Sequence, residues 1–150
     1  MVTVAIMGVV MTLGAVSFNK FGSSQKIEDT REALLSSLRL ARNYAITGQN
    51  IGYGGSLAYV TFTIDDGGNV KVYPNDLTTM LYFDKDISPT GTIIGATVFT
   101  LRFASYDGKL VDNLGVPVSA DVTFTITAGS GMEDPGGSGT VRVSPTGLIE

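Results

Sequence analysis

The sequence predicts an α+β protein, in which one long N-terminal helix packs on an antiparallel β-sheet head. Two features of the 150-residue chain lead to this prediction. An uncharged apolar run, residues 1–18, passes directly into an amphipathic stretch with the apolar spacing of a helix. After Gly48 the apolar period changes to the alternation that is typical of strands. A helix that covers one face of such a sheet is an α+β layer arrangement.

Residues 1–23 are predicted to form the apolar half of the helix, which anchors the chain in a membrane. The first eighteen residues, MVTVAIMGVVMTLGAVSF, contain no charged side chain. A helix of that length spans about 27 Å, slightly less than a hydrocarbon core of about 30 Å. A cleaved signal peptide would need a basic region before the apolar core, and a buried helix of this length rarely lacks charges. Small residues in the segment would permit close helix approach. The residues expected to pack in the membrane are Val2, Val4, Ala5, Ile6, Gly8, Val9, Val10, Leu13, Gly14 and Val16.

The amphipathic half is predicted over residues 24–48, and Gly48 is its expected C-terminal cap. Gly22, Ser23 and Ser24 form a weak point between the two halves, where the helix could kink or unwind. Acidic residues early in this half and basic residues late in it would favour the helix macrodipole. The residues expected to pack against the sheet are Ile27, Leu34, Leu38, Ala41 and Ala45, which follow helical spacing.

The head, residues 24–150, is predicted to add five to seven antiparallel strands in a sheet region over residues 56–150. Alternating apolar residues and turn signals indicate each strand. Pro74 closes the second of them, and residues 129–139 form a glycine-rich connection. The predicted strands are 56–65, 70–73, 79–83, 97–104, 121–127 and 140–143, with turns at 66–69 and 106–109.

The composition argues against an enzyme and against nucleic-acid binding. The chain has no cysteine and no histidine, which removes thiolate chemistry, His-based nucleophile pairs and the usual zinc ligands. Its net charge of −4 is unfavourable for binding nucleic acid. Asp65, Asp66 and Asn69 could ligate calcium, although a hairpin turn explains them better. A second acidic set, Asp76, Asp84 and Asp86, is typical of a solvated loop. No cofactor and no metal site is therefore predicted.

The order of these elements resembles type IV pilins and pseudopilins. The segment MVTVAIMGVVMTLGAV is similar to the start of the pilin helix, with Ala5-Ile6-Met7-Gly8 on the family's A-I-x-G core. The head resembles the GspH/FimT-like group. Ala41-Arg42 and Ala45-Ile46 carry the similarity to its ARxxAI helix, and residues 101–110 and 139–150 resemble its later strands.

The resemblance implies a structural subunit of a type IV pilus-like surface filament, a helical homo-oligomer. In that filament the membrane-packing residues between Val2 and Val16 would also form the filament core, and the helix could melt at residues 22–24 during assembly. The alternative is a minor pseudopilin of a secretion or DNA-uptake pseudopilus, and a membrane-anchored ligand- or DNA-binding module is a third class. By resemblance the partners are a prepilin peptidase and the pilus assembly machinery, and the chain lies in the inner or cytoplasmic membrane before assembly. The family's cleavage site and membrane-buried glutamate would precede Met1, so we expect further residues upstream. The charges at Lys20, Lys26, Glu28, Asp29, Arg31 and Glu32 fit either salt bridges between subunits or a solvated helix face.

Overall fold

One helix and eight strands make up the part of the chain that the computed structural model describes. That part comprises residues 2–48, 55–65, 67–76, 78, 81–88, 92–96, 99–129 and 137–150, and among the side chains of residues 2–20 only Met7 is included. The chain is an α+β protein with one N-terminal helix and antiparallel sheets, as predicted.

The helix α1, Val2–Thr47, has 46 residues without a break, a length of about 69 Å at 1.5 Å per residue. Gly48, at a φ of 61°, ends it and donates its N–H to the Ala45 carbonyl at 3.3 Å. Because α1 begins at Val2, the acidic residues near position 30 lie in its middle, and neither its first turn carries an acid nor its last turn a base. The macrodipole acts only within the terminal turns. The macrodipole interpretation of these charges is therefore wrong.

The strands form two sheets instead of the one that the sequence predicts. The larger sheet has the order β3-β2-β1-β5-β6 and the smaller one the order β4-β7-β8, and all pairs are antiparallel. The strand bounds are β1 Tyr59–Ile64, β2 Asn69–Pro74, β3 Phe83–Asp86, β4 Thr92–Ala96, β5 Thr100–Ala104, β6 Leu110–Val111, β7 Val122–Ala128 and β8 Gly139–Val143.

Three of these strands differ from the prediction. The strand expected at 79–83 is β3, which lies at Phe83–Asp86 and carries charges at three of its four positions. Its place is set by pairing with β2, where Phe83 faces Val72 and Asp86 faces Asn69. Charged edge strands resist edge-to-edge aggregation. Because of these charges, β3 lacks the alternation of apolar residues by which a strand is predicted from sequence. The other two, β4 and β6, were not predicted at all, and both lie at sheet edges.

The core lies where α1 meets both sheets. α1 contacts β1 and β5 of the larger sheet and β4, β7 and β8 of the smaller one. Across the sheets, the rings of Phe62 and Phe124 meet edge to face with their centroids 6.4 Å apart, and both are fully buried. The helix residues that were predicted to face the sheet are all buried: Ile27, Leu34, Leu38, Ala41 and Ala45.

Counting only the residues whose side chains the structure describes, no helical segment is long and apolar enough to cross a membrane. The predicted membrane and filament-core residues between positions 2 and 16 lie outside those described side chains. Their role therefore stays a prediction.

Candidate assembly surface

The exposed side of α1 carries large apolar side chains near its N-terminal end and charged side chains further along. Met7 and Phe21 are the two described side chains among the first 21 residues, and they are 69% and 70% exposed. Phe21 follows Met7 by 14 positions, nearly four helical turns, so both lie on one side of the helix. That side continues through the exposed residues Glu32 and Arg39. The surface thus changes from apolar to charged along a single helix.

The opposite side of α1 enters the head at Ser23, which is the first buried residue in the described part of the helix, at 6% exposure. Further along, the hydroxyl of the fully buried Thr30 donates to the Lys26 carbonyl at 2.8 Å and lies 3.3 Å from the Thr92 hydroxyl of β4. These bonds satisfy polar groups that would be costly to bury alone. The predicted weak point at Gly22, Ser23 and Ser24 therefore coincides with the entry of α1 into the head.

Helix α1 is continuous through that point in the isolated chain. A Cβ added at Gly22 would have no heavy atom within 4 Å, so the glycine is not required for packing there. The prediction that this segment melts concerns the assembled filament, and it stays a prediction.

Strand β8 holds the helix close to its entry point. Arg31 donates from Nε to the Thr140 carbonyl at 3.0 Å and pairs with Glu28 at 2.9 Å. A Cβ added at Gly139 would lie 3.1 Å from the Ile27 side chain, so strand and helix backbones approach closely. Of the acidic and basic helix residues singled out in the sequence, Glu28 and Arg31 thus form a pair within one chain.

The other end of α1 meets two turns of the head, which contain Gly108 and Gly147. The backbone N–H of Tyr106 donates to the Ala45 carbonyl at 3.0 Å, which satisfies an acceptor at the helix end. Tyr106 has a φ of 71° and is 77% exposed, an unusual conformation for a residue other than glycine. The Nε of Arg42 is buried beneath these turns and has no hydrogen-bond partner in the described part of the chain. Nothing in the sequence pattern indicated this cluster.

A polar network centred on Asp76 lies on the face of the larger sheet that points away from the core. Asp76 accepts hydrogen bonds from the Tyr59 hydroxyl at 2.9 Å, from the Thr61 hydroxyl at 2.9 Å and from the Arg102 guanidinium at 3.2 and 3.3 Å. Burial raises the pKa of Asp76, but the hydrogen bonds from these partners outweigh it and bring the pKa below its ordinary value. Burial and the bond to Asp76 raise the pKa of Tyr59. The network is satisfied internally and fastens the segment after β2 to β1 and β5.

The acidic residues that were considered as calcium ligands have local structural roles. Asp65 accepts the N–H of Asn69 at 2.8 Å within the β1–β2 turn, while Asp66 lies outside the described residues. Asp84 and Asp86 are exposed on β3. No group of three potential metal-binding side chains occurs among the residues that the structure describes.

A cavity of about 480 Å³ opens beside β5 and β6. Its two charged residues are already engaged, Arg102 with Asp76 and Asp112 with backbone N–H groups of the following turn at 2.8 and 2.9 Å. The remaining lining is mainly aliphatic, with Leu101, Leu110 and Val118 among its residues. Among the described residues of the lining, both charged side chains thus already have hydrogen-bond partners.

Comparisons with protein-family models, curated proteins and solved structures found no match for this chain.

Proposed function

We propose that this chain is a structural subunit of a type IV pilus-like filament, which assembles through the N-terminal half of α1. The observation that carries the proposal is a single unbroken helix of 46 residues, which packs in the head along one part and extends beyond the core along the other. From Ser23 onward one side of it belongs to the core of the head, whereas Met7 and Phe21 expose large apolar side chains. The first 18 residues of the sequence contain no charge.

An apolar helix that extends from a folded head needs an apolar environment. In a membrane the lipid supplies it, and in a filament neighbouring copies of the same helix supply it. Contacts of this kind are head-to-tail and do not close, so they generate a helical fibre. A helix packed on antiparallel sheets agrees with the pilin architecture that the sequence resembles. This supports a filament on the cell surface, with the subunit held in the inner or cytoplasmic membrane before assembly.

The first test is to shear surface filaments from cells that produce the chain and to measure its abundance by intact-mass spectrometry. A structural subunit dominates the sheared fraction. A chain that is a trace component or stays in the membrane is a minor pseudopilin, the alternative that the head's sequence resemblance supports. The measured mass also shows whether residues precede Met1 in the mature chain.

A pair of variants tests the role of the apolar helix directly. Val9→Arg places a charge in the predicted filament core, where burial of an unpaired cation is costly. Thr127→Arg adds the same charge to an exposed position on β7. We expect Val9→Arg to abolish sheared filaments and Thr127→Arg to leave them at the original yield. Equal yields from both variants would contradict assembly through this helix.

A further inference from the structure

The exposed side of α1 carries separated charges, most of which have no ion-pair partner in the described part of the chain. We define the acidic turn as Glu28, Asp29 and Glu32, all exposed, and Arg39 lies exposed beyond it. Within the described part of the chain, Glu28 pairs with Arg31, and no ion pair includes Asp29, Glu32 or Arg39. Arg39 follows Glu32 by seven positions, about 10.5 Å along the helix, whereas ion pairs within a helix form at spacings of three or four positions.

The helix macrodipole does not explain this separation, because both charge groups lie in the interior of α1. Between them is a shallow groove of about 390 Å³, lined by Arg31, Glu32, Leu35, Ser36 and Arg39. The groove contains an exposed cation next to uncharged Ser36, so a carboxylate from another molecule could enter it and pair with Arg39.

On the basis of the proposed function, we infer that the acidic turn of one subunit contacts Arg39 of a neighbouring subunit in the filament. A second copy is the appropriate partner because it carries both charge groups at the same spacing. Two parallel copies in register would place like charges together, which is unfavourable. A shift of seven to eleven residues, about 10–16 Å along the helix, brings Arg39 opposite the acidic turn instead. The charges therefore set the axial stagger between subunits.

An antiparallel pair of helices would satisfy the same charges. It would also point the two apolar segments in opposite directions, so that both could not lie in one filament core. The parallel, staggered arrangement leaves an acidic turn free at one end and an Arg39 free at the other. Each added subunit thus creates the binding surface for the next one.

Charge reversal in the full-length chain tests this contact, with sheared filament yield as the measurement. We expect Glu32→Arg and Arg39→Glu each to lower the yield at least about tenfold, because each opposes like charges across the contact. The double variant Glu32→Arg/Arg39→Glu restores opposite charges and is expected to recover most of the yield. Lys71→Glu, at an exposed position of β2, is the matched control and should assemble normally.

A cysteine experiment tests the geometry independently, since the chain has no cysteine of its own. In Asp29→Cys/Ser36→Cys, which replaces two exposed residues and keeps Glu32 and Arg39, the two thiols of one helix are about 10.5 Å apart and cannot join, because a disulfide needs Cα atoms within about 7 Å. Oxidation of staggered subunits is expected to give a ladder of covalent oligomers. A product that stops at the dimer indicates antiparallel pairing and overturns the inference.

The outcomes separate this inference from the proposed function. If the unaltered chain forms filaments but both single reversals assemble as well as Lys71→Glu, only the inferred contact is wrong. Reversals that are not rescued by the double variant also overturn it, provided that all variants accumulate and unfold thermally like the unaltered chain. If the unaltered chain forms no filaments, the proposed function fails and the inference fails with it.

Discussion

Removal of the Asp76 charge should destabilise the head in a pH-dependent way. In Asp76→Asn the side chain keeps its size and its tolerance of a positive φ, which is 60° at this position. What is lost is the charge that accepts four hydrogen bonds from Tyr59, Thr61 and Arg102. The perturbation therefore tests the network and leaves the backbone turn intact.

The magnitude follows from the exposure of the partners. The Asp76 and Arg102 side chains are 42% and 20% exposed, so their ion pair contributes only about 0.5–1 kcal/mol after solvent screening. Thr61 is fully buried, and a weakened bond to its hydroxyl adds about 1 kcal/mol. We expect a loss of about 1.5–2 kcal/mol, which for a chain of this size lowers Tm by about 5 °C.

The assay is thermal unfolding of the purified full-length chain in mild detergent, followed by circular dichroism between pH 2 and pH 7. The folded-state pKa of Asp76 is below its ordinary value of 3.8. Its stabilisation is therefore fully present above pH 3.8 and is lost as the pH falls through the folded-state pKa. The difference between the unaltered chain and Asp76→Asn should vanish in that acidic range.

The control is Asp121→Asn, which removes the partner of Arg142; the Arg142 side chain is 61% exposed and that of Asp121 is 29% exposed, and no third side chain shares the pair in the described part of the chain. This variant should change stability by less than about 0.5 kcal/mol. An Asp76→Asn variant that unfolds like Asp121→Asn at neutral pH, or a difference that stays constant down to pH 2, would refute the reasoning.

Three further predictions use matched positions. Leu34→Ala, at a fully buried helix position, should cost about 3 kcal/mol, whereas Leu114→Ala, where the leucine is 82% exposed, should be nearly neutral in urea unfolding. Gly147 and Gly115 share a φ of 78°, but a Cβ would overlap a carbonyl oxygen only at Gly147, so Gly147→Ala should lower Tm well below that of Gly115→Ala. Equal Tm values for these two variants would show that the positive φ alone, and not the overlap with the carbonyl oxygen, determines the loss of stability. Gly22→Ala should stabilise the isolated chain by about 1 kcal/mol, since added helix propensity meets no clash. Reduced filament yield from this more stable variant would support melting at that point, and unchanged yield would count against it.

Local periodicity was sufficient to predict the helix and the side of it that enters the core. Leu34, Leu38 and Ala41 recur at helical spacing, and that spacing alone determines that they share one side. The alternation in β1 and β7 was equally readable, because each has one buried face.

The hairpin turn at 66–69 predicted that β1 pairs with β2, but the pairing of strands that no tight turn connects was beyond the reach of these patterns. Alternation shows which face of a strand is apolar, but it does not show which strands become neighbours. The division into two sheets therefore had no local signal. The Asp76–Arg102 pair joins residues 26 positions apart, and its geometry depends on β1 pairing with both β2 and β5. The charges on α1 were visible in the sequence, but only an unbroken helix from Val2 removes the macrodipole explanation for them.

Because α1 packs against both sheets, the core of the head is complete only after strands that are far apart in the sequence have paired. β1 must pair with β5, some 40 residues later, and the smaller sheet is complete only with β8 near the C-terminus. Pairings at such sequence separation form slowly. The helix, in contrast, consists of local contacts and leaves the ribosome first. A helix that has already formed would offer the emerging strands a template and shorten the time during which their apolar faces are exposed to aggregation.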